Sequence, residues 1–126
     1  MASHLVDTDV LIDVSRGSRE AASYVDSLGD PTISIITAQE LIAGARDKRD
    51  LGAIDSLVAS YSIEHLDAAI GLRAYDLLKK YAKSDGLRPL DSLIAATAIE
   101  RDLVLATRNR KHFAMIDGLR LDVPRF

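Results

Sequence analysis

Leu5-Val6-Asp7-Thr8-Asp9-Val10-Leu11-Ile12-Asp13 decides the fold of this chain. Leu5-Val6 reads as a short buried strand, and Asp7 stands where that strand stops. From about residue 9 the apolar positions shift to helical spacing, and Gly17 ends the helix near residue 16. A strand that feeds directly into a helix is the opening half of a βα unit, and the rest of the chain repeats that alternation.

Working outward, a second helix is predicted over roughly 18–28, capped by Ser18 and stopped by Gly29-Asp30-Pro31. The run Ile33-Ser34-Ile35-Ile36 predicts a strand over 32–36. Thr37 and Glu40 then match a capping box, with Leu41, Ile42 and Ala45 continuing the helix. Asp50 is the expected cap of the next helix, whose stripe is Leu51, Ile54, Leu57 and Val58, and a strand is expected at 61–65. Ile70, Ala74, Leu77, Leu78 and Tyr81 mark a long amphipathic helix from Asp67 to Gly86. Beyond Gly86-Leu87-Arg88-Pro89, Asp91 is expected to open a helix through Ile99, followed by the strand Leu103-Val104-Leu105-Ala106. A short helix near 109–115 and a strand near 119–123 close the pattern. Strands alternating with helices predict an α/β fold, a three-layer α/β/α sandwich around a central parallel sheet with right-handed crossovers, as one domain over residues 1–126.

Composition narrows the class. An apolar fraction of 48% and a charged fraction of 28% are ordinary for a globular domain. No apolar stretch is long enough to span a membrane, and Met1-Ala2-Ser3-His4-Leu5 has no charged-then-apolar leader, so the expected location is cytoplasmic. A net charge of −3 argues against long-range capture of nucleic acid and leaves any such contact to local patches.

Helices in an open parallel sheet begin at the carboxyl edge of the strands, where functional groups collect. Asp7, Glu40 and Asp91 each fall at such a junction, so three carboxylates distant in sequence converge at one edge. Crowded carboxylates in a partly desolvated cleft must share a proton or a cation. With no cysteine, and only His4, His65 and His112 at no ligand spacing, zinc does not fit. A hard ion with oxygen ligands, Mg²⁺ or Mn²⁺, fits better, and its chemistry is metal-assisted hydrolysis of a phosphodiester.

Four segments carry a resemblance to a known family. They are Leu5–Asp13, Thr37-Ala38-Gln39-Glu40-Leu41-Ile42-Ala43-Gly44-Ala45, Leu90-Asp91-Ser92-Leu93-Ile94-Ala95-Ala96-Thr97-Ala98 and Leu105-Ala106-Thr107-Arg108-Asn109-Arg110-Lys111-His112-Phe113. In order and spacing the chain resembles the PIN-domain nucleases, most of all the VapC toxins of bacterial toxin–antitoxin pairs. The resemblance implies a Mg²⁺- or Mn²⁺-dependent endoribonuclease acting on RNA, homodimers, and a small VapB-like antitoxin covering the site. It implies that Asp7 and Asp91 are the main metal ligands, with Glu40 completing the acid set. The chain departs from the family pattern in its last motif, where Asn109 and His112 stand at places that often hold a fourth acid; Asn109 offers a neutral oxygen there. Asp9 is an acid where many relatives carry Asn or Ser, and can compensate in part.

Each residue also has a plainer reading. Asp7 or Asp9 could cap a helix, and Glu40 could serve only its capping box. Asp91 shares its helix face with Ile94, Ala95 and Ala98, so its carboxylate is directed inward and needs a partner. Thr8 and Thr107 read as capping hydroxyls or supports for the acids, Asp13 as a solvated surface acid, and the histidines as ordinary surface or strand-end residues. Arg46, Arg108, Arg110 and Lys111 read first as solubilising charge, although Arg108 and Arg110 flank Asn109 on the active edge, where a guanidinium could grip RNA phosphate. Two competing functions remain at this stage: a phosphatase forming an aspartyl-phosphate through the Asp7/Asp9 pair, and a binding module whose site has decayed at Asn109.

Overall fold

The computed structural model describes residues 3–126; Met1 and Ala2, which belong to the opening segment read for a leader, lie outside the described residues. The chain runs β1 His4–Val6, α1 Thr8–Ser15, α2 Arg19–Ser27, β2 Thr32–Ser34, α3 Ile35–Ala43, α4 Lys48–Ala59 and β3 Ser62–Glu64. It continues through α5 Ala68–Asp85, α6 Pro89–Glu100, β4 Val104–Ala106, α7 Arg110–Phe113 and β5 Leu121–Asp122. The strands form one sheet in the order β3-β2-β1-β4-β5, with every pairing parallel. Two connections build outward from β1 to one side, and the chain then returns to lay β4 on the other. That reversal opens a crevice at the carboxyl ends of β1 and β4.

The pleat divides the core. Leu5 pairs with Leu105 and both face a cluster containing Ile70, Leu77, Ile94 and Phe113. Val6 pairs with Ala106, and these join Val10, Leu11, Ile33, Leu41 and Ile54 on the opposite face. Alternate residues of one strand therefore bury into different helical layers, which gives three layers. Asp7 is the next residue in this ladder: its N–H still donates to the Ala106 carbonyl at 2.8 Å, so its position is fixed by the sheet.

Several helix starts differ from the sequence reading. The run Ile33-Ser34-Ile35-Ile36 leaves the strand at Ser34, whose buried hydroxyl accepts the Ile36 N–H at 3.0 Å and caps α3. Strand propensity of the two isoleucines yields to a local cap and to burial of Ile36. Thr37 and Glu40 consequently do not form a capping box; they lie one turn apart inside α3, on the side turned toward Thr8. The cap of α4 is Asp47 instead of Asp50, which accepts the Arg46 N–H instead. Asp91 is the third residue of α6, which starts at Pro89, a residue suited to the first helical position because it has no N–H to satisfy. Asp67 and Gly86 bound α5 as expected, Gly86 closing it in the left-handed region at φ 74°.

Candidate active site

The crevice at the switch point holds a cleft of about 490 Å³. Asp7, Thr8, Asp9, Glu40, Asp91 and Asn109 line it, together with Ile12, Arg88, Pro89, Leu90 and His112. Four elements thus deliver acids to one place: Asp7 from the end of β1, Asp9 from α1, Glu40 from α3 and Asp91 from the first turn of α6.

Asp7 is 5% exposed. One carboxylate oxygen accepts the Thr8 N–H and the other accepts the Thr107 hydroxyl, each at 2.8 Å. Asp7 is therefore the cap of α1 and lines the cleft at once. Burial pushes its carboxyl up to about 7, and the charges of Asp9 and Asp91 push the same way against the two hydrogen bonds. Thr107 is fully buried and spends its single proton on Asp7 while accepting the Asn109 N–H at 3.0 Å. One hydroxyl thus ties the last motif to the first.

Burial also raises Asp9, opposed by N–H groups of Arg108 and Val10 at 3.0 and 2.7 Å. Glu40 accepts the Thr8 hydroxyl at 2.7 Å, and the oxygens of Thr8 and Thr37 are 3.0 Å apart. The Thr8 proton goes to the carboxylate, and the buried Thr37 hydroxyl can donate into the Thr8 oxygen. Asp91 is half-buried and raised by desolvation, opposed by the charges of His112 and Arg88. Ile94, Ala95 and Ala98 of the same helix are buried, while the Asp91 side chain lines the cleft.

Some residues lie elsewhere than the sequence reading had them. Asp13 is not simply solvated: it pairs with the Arg108 guanidinium at 2.6 Å, and that guanidinium also lies 4.8 Å from the Phe126 ring centre. Arg108 reaches the site through its backbone N–H on Asp9, while Arg110 is exposed on α7 and does not line the cleft. Arg46 pairs with Asp50. Two histidines are more than ordinary surface residues. His4 Nε2 lies 3.1 Å from Asp122, which also accepts the Tyr24 hydroxyl at 2.9 Å. His112 lines the cleft with Nδ1 3.6 Å from Asp91. Sequence reasoning missed His112 and Arg88 as site residues. The available signals were modest: His112 is one helical turn past Asn109, and Arg88 directly precedes the proline that starts the Asp91 helix.

The donor set suits a hard cation, since four carboxylates meet there and three of them are raised by burial. Among the described residues no three acid or histidine side chains are drawn tightly enough together to enclose an ion as they stand. Asp7 is pinned by Thr8 and Thr107, and Glu40 is turned to the Thr8 hydroxyl.

Comparison with known proteins agrees with this fold. Residues 4–119 match the family model described as PIN domain. Ribonuclease VapC10 of Mycobacterium tuberculosis is 38% identical over 122 residues, covering 92% of this chain and 90% of the relative. Among solved structures, a toxin–antitoxin complex from Klebsiella pneumoniae has 33% sequence identity and a TM-score of 0.81, over 93% of this chain and 95% of that one. DNA-bound VapBC from Salmonella typhimurium has 25% identity and a TM-score of 0.86, over 98% of each chain. With its parallel sheet, its acid-lined crevice and these matches, the chain belongs to the PIN domain family, among the VapC ribonucleases.

Proposed function

We propose that this chain is a metal-dependent endoribonuclease, the toxin of a toxin–antitoxin pair, that hydrolyses RNA phosphodiester bonds in the cleft between Asp7, Glu40 and Asp91. The observation that carries the reading is Asp7: a carboxyl 5% exposed, held in place by the sheet and two hydrogen bonds, facing other acids across an open cleft. A folded chain keeps such a group at a cost, and a divalent cation offsets that cost. Asp7 and Asp91 are the residues that would hold Mg²⁺ or Mn²⁺, with Glu40 third and Asp9 beside them. When bound, the ion supplies charge for the phosphoryl oxygens and lowers the pKa of a water.

The chain's own groups do the positioning. Thr107 and the Thr8 N–H fix both oxygens of Asp7, which leaves its orientation independent of substrate. The Thr8 hydroxyl fixes one oxygen of Glu40, and the other is the group we assign to receive a proton from the attacking water. Asn109, at the cleft wall, offers a neutral amide to a phosphate oxygen or a ribose hydroxyl. Solved relatives are toxin–antitoxin complexes, which supports a small cognate VapB-like antitoxin as partner; the toxin itself is proposed to be a homodimer. An Arg from that partner would pair with the acids and compete with the cation. The aspartyl-phosphate reading is set aside by family membership.

Expression in a bacterial host tests this. The wild-type chain is expected to arrest growth, Asp7→Asn is expected to be harmless, and co-expression of the small protein encoded next to it should restore growth and co-purify. Equal growth of wild type and Asp7→Asn, with no co-purifying small protein, would overturn the toxin reading.

A further inference from the structure

The central cleft does not end at Asp91. It continues past Arg88, Asp91 and His112 into a small extension of about 50 Å³ between the α5–α6 loop and α7, where Asp85 and Lys111 join the lining. On the other side it opens past Asp9, Ile12 and Asn109 into a compartment of about 330 Å³ walled by Asp13 and Arg108. The three spaces share residues and form one trough with the acids at its centre.

The two arms differ in charge. Arg108, the cation of the larger arm, is already committed to Asp13 at 2.6 Å and lies against Phe126. In the smaller arm Arg88 and Lys111 are exposed and enter no ion pair among the described residues. The same arm also holds the carboxylates of Asp91 and of Asp85, the latter accepting the Ser84 hydroxyl at 2.6 Å, but neither forms an ion pair with Arg88 or Lys111. Arg88 holds the position before α6 without making a side-chain cap bond, so helix α6 does not require its side chain. Two exposed cations without an ion-pair partner thus line one narrow arm beside an acid centre that repels polyanions, and an anionic strand running along the trough would meet them there.

We propose that Arg88 and Lys111 clamp a phosphate of the RNA strand on the α6/α7 side of the acid centre, one or more nucleotides from the bond that is cut, and so fix the path by which the strand leaves the site. This rests on the ribonuclease reading above. The acid centre repels a phosphate until a cation is bound, so strand capture begins at the cationic arm, and the asymmetry of the two arms sets the side of the acid centre on which the strand is held. Leu90, 47% exposed on the wall of the central cleft, supplies apolar surface for a ribose or base beside the clamped phosphate.

Binding of a 12-nucleotide single-stranded RNA, measured in EDTA across a KCl series, tests the clamp without cleavage. Each phosphate contact on a single strand contributes about 0.7 to the slope of log affinity against log salt. Arg88→Gln and Lys111→Gln are each expected to reduce the slope by about 0.7 and the double variant by about 1.4, while Arg19→Gln, on α2 outside the trough, leaves it unchanged. With Mg²⁺ or Mn²⁺ present, the same variants should raise the half-saturating RNA concentration several-fold. Slopes equal to wild type in both variants, or an equal loss in Arg19→Gln, would overturn the clamp even if wild type cuts the RNA. Slopes that fall as expected, with no cutting by wild type under either ion, would retain the clamp and refute the ribonuclease reading on which its purpose rests.

Discussion

Replacing Asp7 by Asn should stabilise the metal-free protein at pH 8, against the usual expectation for a buried hydrogen-bonded residue. The carboxyl is raised from an ordinary 3.8 to about 7. Below 3.8 the folded and unfolded chains are both protonated there and no penalty exists. Between 3.8 and 7 the folded chain binds a proton that the unfolded chain lacks, so stability falls as pH rises, and above 7 the loss levels off. A midpoint displaced that far corresponds to about 4 kcal/mol at the plateau. Asn removes the charge but keeps an oxygen for the Thr8 N–H. Its amide must then donate to Thr107, whose hydroxyl proton turns away from position 7, toward Asp9 3.5 Å away. Losing one good hydrogen bond costs about 1–2 kcal/mol, which leaves a net gain of roughly 2 kcal/mol. For a chain of this size that is a rise of roughly 5–10 °C in Tm. Thermal scans in EDTA at pH 5 and pH 8 would show it: wild type loses stability between the two, and Asp7→Asn changes much less. Adding Mn²⁺ at pH 8 should close the gap by stabilising wild type alone. An Asp7→Asn protein that melts at or below wild type at pH 8, with the same pH dependence, would refute the claim that Asp7 is held under electrostatic strain.

Two other substitutions separate folding from chemistry. Glu40→Gln retains an oxygen for the Thr8 hydroxyl, so unfolding curves should move by less than about 1 kcal/mol while RNA cleavage falls at least ~100-fold. Ser34→Ala removes the cap of α3, the helix that carries Glu40, and should cost about 1 kcal/mol in denaturant unfolding with a far smaller loss of cleavage.

Asp7 was legible because its neighbours leave few choices: two fully buried apolar residues, then an acid, then helical spacing. The long helix α5 was legible for the same reason, a sustained stripe between a capping Asp67 and a left-handed Gly86. The misreading at Ile33–Ile36 shows the limit. Two residues of alternation look alike in a strand and in a first helical turn, and only the Ser34 hydroxyl meeting the Ile36 N–H distinguishes them. Glu40 nevertheless reaches the cleft, one turn further into α3 than a capping box would have placed it. Arg88 and His112 were not legible as site residues, because the cleft they line depends on how the α5–α6 loop and α7 come together, which no local pattern records. Asp13 and Arg108, 95 positions apart, illustrate the same point: their pairing follows from β4 lying beside β1.

The central claim, that this acid cleft hydrolyses RNA with the help of a divalent cation, is tested most directly by a cleavage time course on single-stranded RNA with the purified chain. Wild type should cut with Mg²⁺ or Mn²⁺ and stop in EDTA, and Asp91→Asn, folded to the same Tm in EDTA within a few degrees, should lose at least ~100-fold in rate at equal metal. Cleavage that continues undiminished in EDTA, or that survives intact in Asp91→Asn, would contradict the account.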